Sequence, residues 1–297
     1  MLNEIKRLML AVTAMLVMCT AVWAQEADGL IDDGYLPCQA DTIEVFSTKM
    51  ERMIKNTIVL PSQYFEEESS DVIYPVVYLL NGHGGDYSSW GRIRPDLDYL
   101  ASEAGVIFVC PDGENSWYWD SPINDASQFE TYVTTELVGY IDDNYRTIKD
   151  SRMRAVCGYS MGGHGSLWLG LRHPDVFGIC CSMSGGVDIT PFPQNWNMKD
   201  ALGEYAANPD LWKQHSVIYL IESGKHNEGQ KILIDCGTED FFLEVNRNLH
   251  KEMLERKIPH DYIERPGEHN ADYWSNSLDY QLLFIQKAFN ELEDIAE

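Results

Sequence analysis

The segment MRAVCGYSMGGHGSLWLGL, residues 153–171, decides the fold. Met153–Cys157 reads as a largely apolar strand, and Gly163, Gly165 and Ser166 open a helix that runs on through Leu167 and Leu169. Between them stands Gly158-Tyr159-Ser160-Met161-Gly162, a G-x-S-x-G match. The pentapeptide alone is a weak signal, and its strand–turn–helix setting is what gives it weight. A serine at so sharp a turn sits in a strained backbone conformation, and glycines two residues to either side let strand and helix approach closely. Ser160 is therefore the candidate nucleophile, and His164 reads as a packed helix residue.

The surrounding sequence repeats the same rhythm. Strands are expected at 42–47 and 56–60, the second closed by Pro61, and then at 76–80, 106–110, 153–157, 177–181, 232–235 and 262–264. Apolar runs without alternation suit a mostly parallel sheet covered on both faces. Helical spacings of three and four link Phe129, Val133, Leu137 and Tyr140. They recur at Phe242, Val245, Leu249 and Met253, and again at Leu278, Leu282, Ile285 and Phe289. Alternating strands and helices predict an α/β fold with helices on both faces of a central sheet. Residues 41–297 form the expected single domain, with a loop-and-helix insertion at about 185–229 that is rich in Pro, Asn, Trp and His.

A serine hydroxyl needs a histidine to take its proton and a carboxylate to orient that histidine. With the elbow, the expected chain order is Ser, acid, His, as in an α/β-hydrolase fold. His269, in Pro266-Gly267-Glu268-His269-Asn270, lies just past a strand end, where an α/β sheet places its chemistry. His250 falls inside a helix and His260 precedes a strand. Asp240, beyond the end of the 232–235 strand, is the preferred acid, with Glu239 its nearest competitor; helix capping is the plain alternative for Asp240. The Gly-rich turn Asn81-Gly82-His83-Gly84-Gly85 can supply a backbone N–H from His83 to an oxyanion, and Met161, after the serine, a second. Trp90, Trp117, Tyr118, Trp119, Trp196 and Trp274 fall in or near these loops, where rings either stack on a substrate or pack inward.

Five ordered segments resemble one known family: YLLNGHGGDYSSW (78–90), PDGENSWYWDSP (111–122), CGYSMGGHGSL (157–167), IDCGTEDFF (234–242) and PGEHNADYW (266–274). They look like the "Putative esterase" family, which includes esterase D (S-formylglutathione hydrolase), tributyrin esterases, feruloyl and acetylxylan esterases and the mycolyltransferases. The resemblance spans roughly residues 41–293. It implies Ser160, Asp240 and His269 as a triad, His83 and Met161 at the oxyanion hole, an acyl-enzyme, and no metal or organic cofactor. Asn81 departs from the pattern, standing where the family usually has His, which bears on the hole's fine geometry. Two rival readings are an acyltransferase with the same triad and a non-catalytic glycan-binding protein on this scaffold. The second has no use for a retained Ser, Asp, His and both glycine turns.

Composition sets the context. The formal charge is −25, so the surface repels nucleic acid and anionic membranes. Lys6 and Arg7 followed by the apolar run 8–21 and Val22-Trp23-Ala24 read as a signal peptide cleaved before Gln25, and residues 25–40 as an acidic lead-in. The expected product is secreted or periplasmic and not membrane-inserted, acting on a small-molecule or carbohydrate ester. Cys19 offers a lipoprotein alternative, poorly matched because Met18 precedes it. Cys110, Cys157, Cys180, Cys181 and Cys236 sit in or beside apolar strands and are expected to be free thiols.

Overall fold

The computed structural model describes residues 40–224 and 228–296. The signal-peptide reading, Cys19, Cys38 and most of the lead-in lie outside them. Eight strands form one sheet: β1 (Ala40–Ser47), β2 (Arg52–Val59), β3 (Val76–Leu80), β4 (Ile107–Pro111), β5 (Arg154–Tyr159), β6 (Ile179–Met183), β7 (Lys231–Gly237) and β8 (Asp261–Arg265). Their order is β1-β2-β4-β3-β5-β6-β7-β8. β2 runs antiparallel to both β1 and β4, and every other pairing is parallel.

Burial on both faces explains the unalternating apolar runs. Val76, Tyr78 and Leu80 of β3 join one core, and Val77 and Leu79 the other. Helices α1 (Ser89–Ile93), α2 (Leu97–Ala104) and α9 (Ala271–Ala296) supply Trp90, Leu97, Ala101, Leu278, Leu282 and Ile285 to the second core. The opposite face is covered by α3 (129–144), α4 (Met161–Arg172) and α8 (Leu243–Glu255). Between β6 and β7 the chain forms α5 (Met198–Leu202), α6 (Pro209–Gln214) and α7 (Val217–Glu222), whose Leu202, Trp212 and Ile221 extend that core.

Local physics alters some of the expected elements. The helix predicted from Phe129, Val133, Leu137 and Tyr140 is π-wound over Tyr132–Leu137. A widened turn suits the two successive spacings of four, which keep Phe129, Val133 and Leu137 on the buried side. The strand expected from Phe177 begins two residues later, at Ile179. The amides of Val176 and Phe177 donate to His173 O at 2.9 and 3.0 Å and so close the turn after α4. Cys110, Cys157, Cys180, Cys181 and Cys236 are all buried free thiols, and burial raises their pKa values.

Candidate active site

Four strands end on the same side of the sheet. β5 delivers Ser160, β3 the Asn81–Gly85 turn, β7 the loop of Asp240, and β8 the loop of His269. Ser160 has φ +55° and ψ −117°, a conformation an L-residue adopts only under constraint. The constraint is visible on each side. The Ser160 amide donates to Met183 O at 2.9 Å, and the Ser160 carbonyl accepts from the His164 amide at 3.0 Å. A Cβ on Gly158 would stand 2.4 Å from Gly162 O, and one on Gly162 would stand 2.4 Å from Leu80 O. Only glycine fits at either position while strand and helix keep this approach.

The strained turn aims the serine at the histidine. Ser160 Oγ lies 2.9 Å from His269 Nε2, and His269 Nδ1 lies 2.8 Å from Asp240 Oδ2. The Asp240 side chain is fully buried, and its other oxygen accepts the Phe242 amide at 2.8 Å. Asp240 thus holds the turn ahead of α8 with one oxygen and meets the imidazole with the other, while the N-cap position of α8 is Phe242 and has no side-chain cap. An ionised carboxylate on Nδ1 fixes the tautomer, leaving Nε2 to accept the serine proton. Phe241, Trp274 and Phe242 surround the imidazole, with ring centroids 4.2, 5.0 and 5.4 Å away. Glu239, the competing carboxylate, points instead to the Gly267 amide at 2.7 Å.

Met161 carries the first amide of α4, which has no intrahelical acceptor and sits at the positive end of the helix dipole. Gly82 and His83 line the same cleft as Ser160 and His269, a space of about 600 Å³. Burial lowers the pKa of the His83 imidazole, whose Nε2 is enclosed without a partner. The donor expected from this turn is the His83 backbone N–H. Asn81 organises this turn. Its Nδ2 donates to Gly82 O at 3.0 Å, and its Oδ1 accepts from the Gly113 amide at 2.9 Å and from Tyr118 OH at 2.9 Å.

Among the aromatics expected to touch substrate, Trp196 and Trp274 line the cleft. Trp90, Trp117 and Tyr118 do not, and the expectation for them is corrected. Trp90 is buried with its indole N–H on Leu80 O at 3.1 Å. Trp117 is buried and stacked on Trp119, and Tyr118 is buried beneath the Asn81 turn. Two lining rings were not singled out from the sequence. Phe241 is 54% exposed and stacks on Trp196, and Tyr159 stacks on Trp274 at 4.3 Å. Their positions, next to the acid and next to the nucleophile, were the available signal.

A second cavity, of about 450 Å³, opens at the amino ends of β6 and β7 among Ser151, Arg152, Gly178 and Lys231. Among the described residues, no hydrogen bond joins Ser151 Oγ to a base there, in contrast to the Ser160–His269 contact of the carboxyl-end cleft. No group of residues able to hold a metal ion occurs among the described residues. No helix among them is long and apolar enough to cross a membrane.

Comparison with known proteins bears on family and fold. The "Putative esterase" family matches residues 47–285. The chain is 24% identical over 270 residues to an acetyl esterase of Caldicellulosiruptor saccharolyticus, covering 85% of this chain and 97% of that protein. It is 28% identical over 226 residues to S-formylglutathione hydrolase of Bos taurus, covering 67% and 78% respectively. A solved ferulic acid esterase superposes with a TM-score of 0.72 at 28% identity, covering 86% of this chain and all of that one.

Proposed function

The chain belongs to the "Putative esterase" family, and from that premise we propose that it cleaves short-chain or aromatic acyl esters, outside the cell, through a Ser160–His269–Asp240 triad. The observation that carries this reading is the continuous hydrogen-bond chain from Ser160 Oγ to His269 to buried Asp240, at 2.9 and 2.8 Å. Ser160 Oγ attacks the ester carbonyl while His269 Nε2 takes its proton. The tetrahedral oxyanion is met by the backbone amides of His83 and Met161. His269 then returns the proton to the leaving alkoxide, giving the alcohol and an acyl-Ser160 ester. Water, deprotonated by His269, attacks that ester, and the acid leaves as Ser160 regains its proton.

The open ring pair Phe241 and Trp196 beside His269 favours an aromatic acyl group or a sugar ring as the bound partner. The likeness to an acetyl esterase and a ferulic acid esterase supports acetyl or feruloyl esters as substrates, and such groups on plant polysaccharide are the proposed source. Secretion fits such a substrate, and a mature chain whose mass begins at Gln25 would support it.

The test is hydrolysis of p-nitrophenyl acetate, p-nitrophenyl butyrate and methyl ferulate by wild type and by Ser160→Ala. Loss of at least about a thousandfold in the variant is expected for a triad nucleophile, and the acetate-to-ferulate ratio ranks the acyl groups. Full activity in Ser160→Ala would sink the assignment. Acyl transfer to added alcohols in preference to water would make the enzyme a transferase.

A further inference from the structure

The pairing of β7 and β8 ends at Gly237 and Arg265, yet the two chains stay laced beyond the sheet. The Thr238 amide donates to Arg265 O at 2.9 Å, and the Glu239 amide donates to Gly267 O at 2.9 Å. The return bond comes from a side chain: the Gly267 amide donates to Glu239 Oε2 at 2.7 Å. The other carboxylate oxygen is held too, accepting Thr238 Oγ1–H at 3.1 Å. Gly267 has φ +148°, and a Cβ on Gly237 would stand 2.3 Å from its carbonyl oxygen, so the two loops touch backbone to backbone. One residue past Glu239 is Asp240; two past Gly267 is His269.

We propose that Glu239 is a positioning residue for the triad, its carboxylate clamping the His269 loop to the Asp240 loop through the Gly267 amide. This rests on the triad reading above. The carboxylate occupies the place a backbone carbonyl would take in a further rung of the ladder, and together with the Glu239 amide on Gly267 O it ties both backbone polar groups of Gly267, two residues before the catalytic histidine. A charged acceptor on an amide makes a short, directional bond. Glu239 is exposed, so its contribution to folding is small. Its effect falls on rate, because a displacement of about 1 Å in a reacting group can cost on the order of a hundredfold.

Four proteins test the clamp: wild type, Glu239→Gln, Glu239→Asp and Glu239→Leu. Gln keeps an acceptor oxygen at the same reach, Asp keeps the charge but is one methylene short, and Leu has neither. The expected result is a kcat loss of about 10- to 100-fold in Leu and Asp, with KM within about twofold, and Gln within about threefold of wild type. The low-field proton resonance of His269 Nδ1 supplies a readout without turnover. It should stay sharp in wild type and Gln and broaden in Asp and Leu. A Leu variant with wild-type kcat and an unchanged resonance would overturn the clamp, as would a Gln variant as impaired as Leu. Failure of wild type to hydrolyse any ester or to react with a fluorophosphonate probe would instead bring down the triad reading, and the resonance series would still judge the clamp.

Discussion

Replacing Asp240 by Asn should nearly abolish turnover while leaving the fold intact, and the structure says why. Asp240 Oδ1 accepts the Phe242 amide at 2.8 Å and Oδ2 faces His269 Nδ1 at 2.8 Å, in a fully buried site. An Asn side chain has one acceptor and one donor to place in those two positions. If its oxygen stays on the Phe242 amide, its NH₂ meets His269 Nδ1. The imidazole must then carry its proton on Nε2, where the Ser160 proton has to go. That wrong tautomer costs on the order of 10⁴ in kcat, about 5.5 kcal/mol at 1.36 kcal/mol per decade. If the amide flips to rescue the tautomer, its NH₂ confronts the Phe242 N–H and two buried donors lose an acceptor. At about 1–3 kcal/mol each, that route still costs at least about 2 kcal/mol. The assay is kcat/KM on p-nitrophenyl acetate beside a thermal melt. A variant that melts like wild type and keeps more than about a tenth of the activity would refute the reasoning, since both routes cost more than one decade. Glu239 would then return as a candidate acid.

Three further outcomes are expected. Gly162→Ala places a methyl 2.4 Å from Leu80 O and 2.8 Å from Asn81 O, both backbone atoms, so it should destabilise by about 1–3 kcal/mol or more; a wild-type urea midpoint would contradict the packing argument. His164 is buried between Trp119 Nε1 and Gly186 O, and burial lowers its pKa to about 3. The unfolded chain therefore takes up a proton there that the folded chain refuses. This contribution to stability is complete above about pH 6.5 and is lost at up to about 1.4 kcal/mol per pH unit as pH falls toward 3; a His164→Gln variant with the same stability-versus-pH slope would contradict it. Asn81→Ala leaves the Gly113 amide without its acceptor in a buried site, for a loss of roughly 1–3 kcal/mol, while Tyr118 OH keeps only the backbone carbonyl of residue 81 at 3.3 Å; the check is a denaturant titration beside kcat, and a variant equal to wild type in both would remove Asn81 from any supporting role.

Parts of this molecule were legible because sterics leaves few solutions. Gly158 and Gly162 abut backbone atoms, so no other residue type could signal the elbow in their place. The inner strands β3 to β7 were legible because burial on both faces demands apolar runs. β2 was expected to start at Asn56 and starts at Arg52, because half-exposed Arg52 and exposed Met53 and Lys55 hide a hairpin strand from an apolar search. The acid was narrower still. Glu239 and Asp240 are adjacent in the same turn, and only three-dimensional direction separates the one on Gly267 from the one on His269.

The tryptophans show a different limit. A loop position says where a ring is tethered and nothing about which way it points. Trp117 and Tyr118 both have positive φ, +58° and +60°, and this left-handed pair turns both rings into the core. Tyr118 then reaches Asn81 from below, so a ring expected to bind substrate instead supports the turn that presents His83. The same contact gives the departure at position 81 a physical meaning. Asn81 Oδ1 serves two donors, the Gly113 amide and Tyr118 OH, while Nδ2 holds Gly82 O. A neutral histidine has one acceptor nitrogen and one donor, so it could not serve both donors through one atom in this way. Asn81 and Tyr118 are therefore paired: the phenol fills the second lone pair of Oδ1 at 2.9 Å and also reaches the Asn81 backbone carbonyl at 3.3 Å. The Asn81–Gly85 turn rests on that pair, one layer behind the cleft.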